Sequence, residues 1–303
     1  MMKKSSIRWV LIAILLAVLA LTVSSPALAE IKPLPLDQTV PGYPAQKDGW
    51  SGEQGYNYQD ESITVTTEFQ KHNKVQCSIV RIKIADPSQI RTAMSENDYD
   101  KTAYVKATAM AKNVNAIAAV NGDFFKYYDY GYLIRQGVFY REGYSAKHPR
   151  DILVIDDKGD FHAVANATEE SMAAFFADEF PKDRTAVNTF SLGPILVKDG
   201  VVQEITTRDF QYRYKMQRAA IVQLGELEYA IVECDGKSDA SYGMTIANFA
   251  EYIKELFPDC RLAYNLDGGG STNVIVNGKR IHKNPDARKI CDILYFASAY
   301  TEE

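Results

Sequence analysis

Three consecutive glycines between two apolar segments constrain this chain more than any other feature of its sequence. Residues 262–278 read LAYNLDGGGSTNVIVNG, so one apolar run enters, the glycines follow, and a second apolar run leaves toward an Asn-Gly pair. Glycine lacks a Cβ and adopts backbone conformations closed to other residues, and Asn-Gly is a common hairpin turn. The pattern predicts a strand, a tight loop, and a second strand that ends in a hairpin.

Polar side chains bracket this glycine loop. Asn265 and Asp267 precede the glycines, and Ser271 and Thr272 follow them. A bend without side chains lets a ligand approach the main chain, and a run of peptide N–H groups forms a concavity that suits an anion. An isolated Asp-Gly pair is more often a simple turn, but three glycines between four polar residues predict a binding or catalytic loop.

A second polar segment follows the apolar run at residues 116–120. Asn121, Gly122 and Asp123 stand there, before two phenylalanines. Short polar residues at the end of a buried strand are a common position for catalytic groups. On its own, however, the segment is more typical of an Asx turn over core aromatics.

Two further segments combine turns with buried strands. Residues 191–200 read SLGPILVKDG, which predicts a tight turn, a strand and a hairpin turn. Arg218 begins the apolar run at residues 219–222. The planar guanidinium there suits either a structural ion pair or the binding of a carboxylate or phosphate.

The beginning of the chain predicts an export signal. Three basic residues precede an uncharged apolar run at residues 10–23, and Ala27 and Ala29 form an A-x-A cleavage pattern. Because that run is shorter than the roughly 20 residues of a transmembrane helix, we expect cleavage after Ala29 and a secreted or envelope location. We expect contact with the membrane only through this segment before cleavage.

The sequence after the export signal predicts an extended linker at residues 30–55 and one domain at residues 56–303. The linker is rich in proline and poor in large hydrophobic residues, which favours a spacer between the domain and the membrane or wall. Without the three basic residues of the export signal, 31 basic side chains face 39 acidic ones. This balance provides no positive field for nucleic acid, so we expect no nucleic-acid partner.

Strand and helix patterns are mixed along the domain. Runs rich in β-branched residues predict strands at residues 63–69, 76–84 and 152–155. Apolar residues at helical spacing predict amphipathic helices at residues 101–113, 168–180 and 245–257. The helices do not alternate regularly with single strands, so we predict an α+β fold, a single mixed-sheet domain with amphipathic helices packed on strands.

The four cysteines show no C-x-x-C spacing, and we predict buried free thiols in preference to disulfides. Four tyrosines, Tyr127, Tyr128, Tyr130 and Tyr132, follow the second polar segment. Aromatic faces suit sugar rings, but ordinary packing explains such a cluster equally well.

Taken in order, these motifs resemble those of the phosphodiester glycosidase family. The resemblance runs from about residue 75 to the C-terminus and rests chiefly on NLDGGGS at residues 265–271. It is corroborated by Asn121-Gly122 with Phe124-Phe125, Gly193-Pro194 with Asp199-Gly200, Arg218 two residues before Ala220-Ile221, and Arg288 before the last apolar run. The chain departs from the family's pattern at Asp123, Leu192, Gln217 and Ala219.

The resemblance implies hydrolysis of a sugar-1-phosphodiester in an envelope or exopolysaccharide substrate. Phosphate leaves as a stable anion, so the need for a general acid is smaller than in ordinary glycosidases, which pair two carboxylates. We hypothesise that Asp267 is the base or nucleophile and Asp123 a second carboxylate. Phosphate binding is assigned to Arg218 with the amides of Gly268, Gly269 and Gly270, and positioning of sugar or water to Asn121, Gly122, Asn265, Ser271 and Thr272.

Two alternatives stay open at this point. The same loop could hold a wall polysaccharide or teichoic-type phosphodiester without cleaving it. The chain could also be a metal-dependent phosphoesterase, since Asp123, Asp235 and Asp267 offer oxygen ligands for calcium or magnesium. The favoured mechanism requires no cofactor, and the four histidines are dispersed in the sequence.

Overall fold

The computed structural model describes residues 30–205 and 213–301, and strands dominate these residues. In chain order the strands are β1 (Glu30–Ile31), β2 (Trp50–Ser51), β3 (Asn57–Gln59), β4 (Ile63–His72), β5 (Val75–Ile84), β6 (Ile90–Met94), β7 (Ala116–Asn121), β8 (Leu133–Arg135), β9 (Val138–Arg141), β10 (Ile152–Asp156), β11 (Phe161–Val164), β12 (Ala186–Phe190), β13 (Ile195–Lys198), β14 (Val201–Val202), β15 (Arg218–Gly225), β16 (Glu228–Cys234), β17 (Leu262–Asn265), β18 (Val274–Val276), β19 (Lys279–Arg280), β20 (Asp292–Ala297) and β21 (Tyr300–Thr301). The α-helices among the described residues are α1 (Ala107–Asn113), α2 (Glu169–Ala174) and α3 (Ile246–Leu256). With 14% of residues in helices and 39% in strands, the domain is sheet-rich and consistent with the predicted α+β class.

Most strands belong to two large sheets rather than to one. The first has nine strands in the order β14-β13-β17-β15-β16-β5-β4-β3-β2, and the second has five in the order β19-β18-β7-β20-β6. Neighbouring strands in both sheets run antiparallel. Smaller sheets of three strands (β11-β10-β12) and two strands (β8-β9) lie elsewhere in the fold.

The two large sheets pack face to face because their strands alternate between two apolar faces. On β5, Val80 belongs to the core between the sheets, whereas Ile79 belongs to the core under α3. On β20, Leu294 belongs to the central core and Ile293 to the core under α1. Successive strand residues point to opposite faces, so strands that are apolar throughout predict coverage on both sides. The result is a layered arrangement of α3, the nine-stranded sheet, the five-stranded sheet and α1.

Two of the predicted helices begin at the expected residues. The hydroxyl of Thr168 accepts from the Ser171 amide at the start of α2, and that of Thr245 accepts from the Asn248 amide at the start of α3. Such caps satisfy amides that have no partner within a helix. A π-helical turn at Phe175–Glu179 extends α2 close to its predicted end. These two predictions are confirmed.

The remaining predicted helix, α1, is shorter than predicted. It starts at Ala107 and not at residue 101, because Val105 pairs with Ile290 as an isolated β-bridge. The Val105 amide donates to the Ile290 carbonyl, and the reverse bond is also present, both at 2.9 Å. Helical spacing of alanines did not reveal this long-range pairing, which overrides local propensity.

The segment predicted as a linker packs on the domain. Residues 31–300 form one compact unit. The buried Arg91 guanidinium donates to the carbonyls of Pro35, Asp37 and Val40, at 2.9 to 3.1 Å. A Cβ on Gly42 would lie 2.2 Å from the Cβ of Ala297. Proline-rich composition predicted the lack of long elements here, but the residues that hold the segment lie far along the chain.

The predicted export signal, residues 1–29, lies outside the described residues. Among the described ranges, no helix is both long and apolar enough to cross a bilayer. Cys77, Cys234, Cys260 and Cys291 are buried and free, as predicted.

Candidate active site

The glycine loop carries the chain from one large sheet to the other. It leaves β17 in the nine-stranded sheet and enters β18 in the five-stranded sheet, where β18 pairs with β7. A 3-10 turn at Gly269–Ser271 forms the bend. The predicted strand, loop, strand and hairpin at Asn277-Gly278 are all present, and the loop lies at the crossing point between the sheets.

The second polar segment meets this loop directly, because β7 ends beside it. The side-chain amide of Asn121 donates to the main-chain oxygen of Asp267 at 2.8 Å, and the Asp267 amide donates to the Gly122 carbonyl at 3.3 Å. The side-chain oxygen of Asn121 accepts from the Asn273 amide at 3.0 Å. Asn121 therefore fixes both ends of the glycine loop and is itself buried.

The third segment reaches the loop through Asn265. Its side-chain amide donates to the Gly193 carbonyl at 2.7 Å, and its main-chain amide donates to the Pro194 carbonyl at 3.1 Å. Its side-chain oxygen, like the Thr272 hydroxyl, is buried without a hydrogen-bond partner among the described residues. Buried polar atoms normally have partners, so these two atoms mark positions that water or a ligand could complete.

Each of the three glycines is required by the backbone. A Cβ on Gly268 would lie 2.8 Å from the Gln217 carbonyl oxygen, and a Cβ on Gly270 would lie 2.7 Å from that of Asp286. Gly269 has φ of +58°, in the left-handed region. The Gly269 amide donates to the Gln217 carbonyl at 3.0 Å. At least this one of the three amides predicted to bind phosphate therefore has a partner within the protein.

The carboxylate of Asp267 lies at the edge of the loop and pairs with Arg288. An Arg288 Nη2 lies 3.0 Å from Asp267 Oδ2, and Arg288 Nε donates to the Ser271 hydroxyl at 2.7 Å. The Asp267 side chain is 15% exposed and that of Arg288 is 48% exposed. Burial raises the pKa of Asp267 above its ordinary value, while Ser271, Arg288 and the Gly268 amide oppose that rise.

Arg218, the predicted phosphate ligand, lies on the other side of the loop. Its Nη1 lies 3.7 Å from where a Cβ on Gly268 would be, so the arginine does contact the glycine loop. Its Nε donates to the Met244 carbonyl at 3.0 Å and its Nη2 to the Tyr214 carbonyl at 2.8 Å. The side chain is buried, and its role toward phosphate stays a prediction.

Asp123 lies in a buried ion-pair group with Arg135 and Asp292. Arg135 Nη2 lies 3.0 Å from Asp123 Oδ1 and 2.8 Å from Asp292 Oδ2, and the Ser191 amide donates to Asp123 Oδ2 at 2.7 Å. Both oxygens of Asp123 are thus engaged. Burial raises the pKa of Asp292 to about 6, against the attraction of Arg135. These contacts fit a structural role for Asp123, and its predicted catalytic role stays a prediction.

Two contributors to the site were not assigned roles from the sequence. The sequence indicates Arg288 only as part of a motif, because a pairing with a carboxylate 21 positions earlier has no sequence pattern. Phe124 lies under the Arg288 guanidinium, with 4.6 Å between Cζ and the ring centroid. A narrow crevice beside Asp267 is lined by Asn121, Gly122, Phe124, Asp267, Ser271, Ile290, Cys291 and Asp292.

One group among the described residues has the composition of a metal site. Glu233, Asp235 and His282 offer ligand atoms within 4.8 Å of one another, with His282 Nδ1 3.2 Å from Glu233 and 3.4 Å from Asp235. However, the Val274 amide donates to His282 Nε2 at 3.0 Å. The proton of a neutral ring then belongs on Nδ1, facing the carboxylates. A protonated Nδ1 cannot ligate a metal ion, so this arrangement fits a buried contact between the ring and the two carboxylates better than a ligand set.

Comparison with known proteins agrees with the resemblance in the motifs. A family model described as phosphodiester glycosidase matches residues 114–297. The SPbeta prophage-derived uncharacterized protein YomE of Bacillus subtilis is 28% identical over 194 residues, which are 61% of this chain. The match spans 28% of the length of that protein.

Solved structures share the fold at low sequence identity. The catalytic domain of zebrafish N-acetylglucosamine-1-phosphodiester alpha-N-acetylglucosaminidase, auto-inhibited by its pro-peptide, has a TM-score of 0.60 and 16% identity, with 88% of this chain and 97% of that chain covered. A hypothetical protein from Synechocystis has a TM-score of 0.54 and 13% identity, with 78% and 62% covered. Since the family model matches more than half of the sequence and includes the glycine loop, the chain belongs to the phosphodiester glycosidase family.

Proposed function

We propose that this protein hydrolyses a sugar-1-phosphodiester at the Asp267–Arg288 pair. The observation that carries the proposal is a partly exposed carboxylate held by an arginine that is itself half exposed, 3.0 Å apart, beside a loop of three glycines. Family membership supports a hydrolase of phosphodiester-linked sugars. The pairing supplies the two kinds of group that this chemistry needs, a carboxylate and a cation.

Arg288 is suited to the phosphate. Its fork already binds one carboxylate and one hydroxyl, which are the acceptor types that it would exchange for phosphate oxygens. Because the side chain is half exposed, a phosphate can reach it without breaking a buried ion pair. In this proposal Arg288 is the principal phosphate ligand, and Arg218 acts beside Gly268.

Asp267 is suited to act on the sugar or on water. Its pKa is raised by burial, while Ser271, Arg288 and the Gly268 amide act to keep the ionised form accessible. A carboxylate can stabilise a developing oxocarbenium ion, attack it, or take a proton from water. Phosphate leaves as a stable anion, so the buried Asp123 need not donate a proton. We assign Asn121, Asn265, Ser271 and Thr272 to positioning of the loop, the sugar or the water.

The proposed place of the reaction rests on the sequence alone. The basic residues, apolar run and A-x-A pattern before residue 30 support export. We therefore propose an extracytoplasmic enzyme, in the envelope or secreted, with a sugar phosphodiester of the envelope or an exopolysaccharide as substrate.

Hydrolysis in water labelled with oxygen-18 tests the proposal. The purified mature chain is incubated with sugar-1-phosphodiesters of several sugars in both anomeric forms, and the products are examined by mass spectrometry. We expect the label in the released sugar, because the bond between C1 and oxygen breaks. Label in the phosphate would instead support a phosphoesterase, and saturable binding without any product would support a binding module.

A further inference from the structure

A pair of stacked aromatic rings extends outward from the candidate active site. Phe124 and Tyr127 have ring centroids 4.8 Å apart and planes inclined by only 12°. The Tyr127 amide donates to the Phe124 carbonyl at 3.0 Å, which closes a turn that brings the two rings together. Phe124 has φ of +62°, an unfavourable conformation for a residue with a bulky side chain. Strain of this kind is commonly found at functional sites.

Arg141 holds this turn through two hydrogen bonds to main-chain carbonyls. Its Nη1 donates to the Tyr128 carbonyl at 2.7 Å and its Nη2 to the Phe125 carbonyl at 3.2 Å. A guanidinium that binds two main-chain carbonyls restricts the turn before any ligand arrives. A ligand that contacts the rings therefore need not order them first, which favours affinity.

One face of the Tyr127 ring is open. Tyr127 is 66% exposed, and its stacked partner Phe124 covers only one of its faces. The Tyr128 centroid is 5.0 Å from that of Tyr127 and 6.4 Å from that of Phe124, and its plane is perpendicular to both. These three distances place Tyr128 at the side of the stack. Among the described residues, the outer face of Tyr127 therefore has no aromatic neighbour.

The stack is continuous with the catalytic pair. Asp267 contacts Arg288, the Arg288 guanidinium lies 4.6 Å from the Phe124 centroid, and Phe124 stacks on Tyr127. The path from the carboxylate to the open ring thus passes through two side chains only. A large exposed aromatic face next to a site for sugar chemistry is well suited to stack on a second sugar ring, because sugar rings present C–H faces to aromatic surfaces.

We propose that Tyr127 forms a second sugar-binding subsite, and hence that the substrate is a glycan chain and not a single sugar phosphodiester. The proposal rests on the proposed function. One sugar lies at Asp267, and another ring of the same molecule stacks on the outer face of Tyr127. The sequence favours carbohydrate binding and ordinary packing equally for the cluster of tyrosines. In this proposal its members have different roles. Tyr132 packs against Phe139 and Phe176, whereas Tyr127 faces the ligand.

The test compares substrates of different length that share one scissile bond. The first is a sugar-1-phosphodiester with a single sugar, and the others are oligosaccharide derivatives extended on either side of that bond. The mature enzyme is compared with Tyr127→Ala and Tyr127→Phe. Phe69→Ala serves as the control, because Phe69 is also an exposed aromatic but lies on β4, the third strand from one edge of the nine-stranded sheet.

We expect kcat/KM of the wild type to be roughly 10-fold higher for one of the extended substrates, a stacking contribution typical of aromatic faces. Tyr127→Ala should lose this preference through KM, whereas Tyr127→Phe and Phe69→Ala should keep it. A length preference that survives in Tyr127→Ala, or one that never existed, would overturn the subsite.

A second measurement distinguishes failure of the proposed function from failure of the Tyr127 subsite. If no substrate is hydrolysed, calorimetric titration with the same oligosaccharides still measures the subsite. Binding by the wild type that is weakened in Tyr127→Ala and not in Phe69→Ala would support it without catalysis. Equal binding by all variants, or none, would overturn it.

Discussion

Two arginine–carboxylate groups lie near the candidate active site, and their exposure to solvent differs sharply. Arg135 is fully buried between Asp123 and Asp292, whose side chains are 2% exposed. Arg288 is half exposed and pairs with Asp267. The distances from nitrogen to oxygen are nearly the same in both groups, 2.8 to 3.0 Å. Residue type and pair geometry therefore do not distinguish them, but solvent access does.

The difference shows which group can exchange its partner for a substrate. A buried guanidinium that loses a carboxylate leaves an uncompensated charge, so the Arg135 group is held to a structural role. A half-exposed pair contributes little to stability and can open at little cost. The sequence predicts Asp267 as base or nucleophile and Asp123 as a second carboxylate, and the environment of each arginine separates the two.

The largest effect on stability should come from removing Arg135. Arg135→Met leaves Asp123 and Asp292 buried without their cation, so we expect a loss of about 3–5 kcal/mol in the free energy of unfolding. Arg288→Met should lose less than about 1 kcal/mol. Urea denaturation of both variants measures the contrast. Equal losses would contradict the distinction between the two groups.

A smaller loss is expected from Gly122→Ala. The new Cβ would lie 2.1 Å from Asp292 Oδ2, so the Arg135 group must shift. Overpacking of this kind costs about 1–3 kcal/mol. Thermal unfolding followed by circular dichroism checks the prediction. A variant as stable as the wild type would show that the buried group adapts more easily than its packing suggests.

The pH dependence of activity should sharpen the assignment of Asp267. A base or nucleophile acts in its ionised form, so activity falls as pH drops through the Asp267 pKa, which burial raises above the ordinary value. Arg288 lowers that pKa, so Arg288→Gln should move the acidic limb of the kcat/KM profile to higher pH. Arg288→Lys should move it less. An unmoved limb would mean that another group controls it.

The smallest effect concerns a glycine outside the site. Gly278 has φ of +67° and free space around the position of a Cβ, so Gly278→Ala should lose only about 1 kcal/mol of stability and no activity. Gly270→Ala, whose Cβ meets the Asp286 carbonyl oxygen, should lose activity as well. Steady-state kinetics of the two variants measure the difference. Similar kinetics would indicate that the glycine loop is not shaped for function.

The sequence predicted local features well. The glycine loop between two strands, its hairpin and the caps of α2 and α3 all follow from spacing and turn chemistry over a few residues. The motifs also identified the segments that meet at the site, since Asn121 bonds to Asp267 and Asn265 bonds to Gly193.

What the sequence could not show depends on contacts between distant residues. Arg288 pairs with a carboxylate 21 positions earlier, and Arg91 holds a proline-rich segment about fifty residues before it. No periodicity or propensity encodes such pairs. The motif also does not show burial, so the sequence predicts Asp123 as a second carboxylate although its side chain is only 2% exposed.

The central claim is that the Asp267 carboxylate carries the chemistry, and the rate of Asp267→Asn tests it most directly. Asp286→Asn is the matched control, because Asp286 is a more exposed carboxylate near the same loop, paired with Lys237. At equal concentrations of folded protein, we predict that Asp267→Asn loses roughly 10³-fold in kcat/KM on a sugar-1-phosphodiester while Asp286→Asn stays near the wild type. A folded Asp267→Asn variant with wild-type kcat/KM would contradict the account.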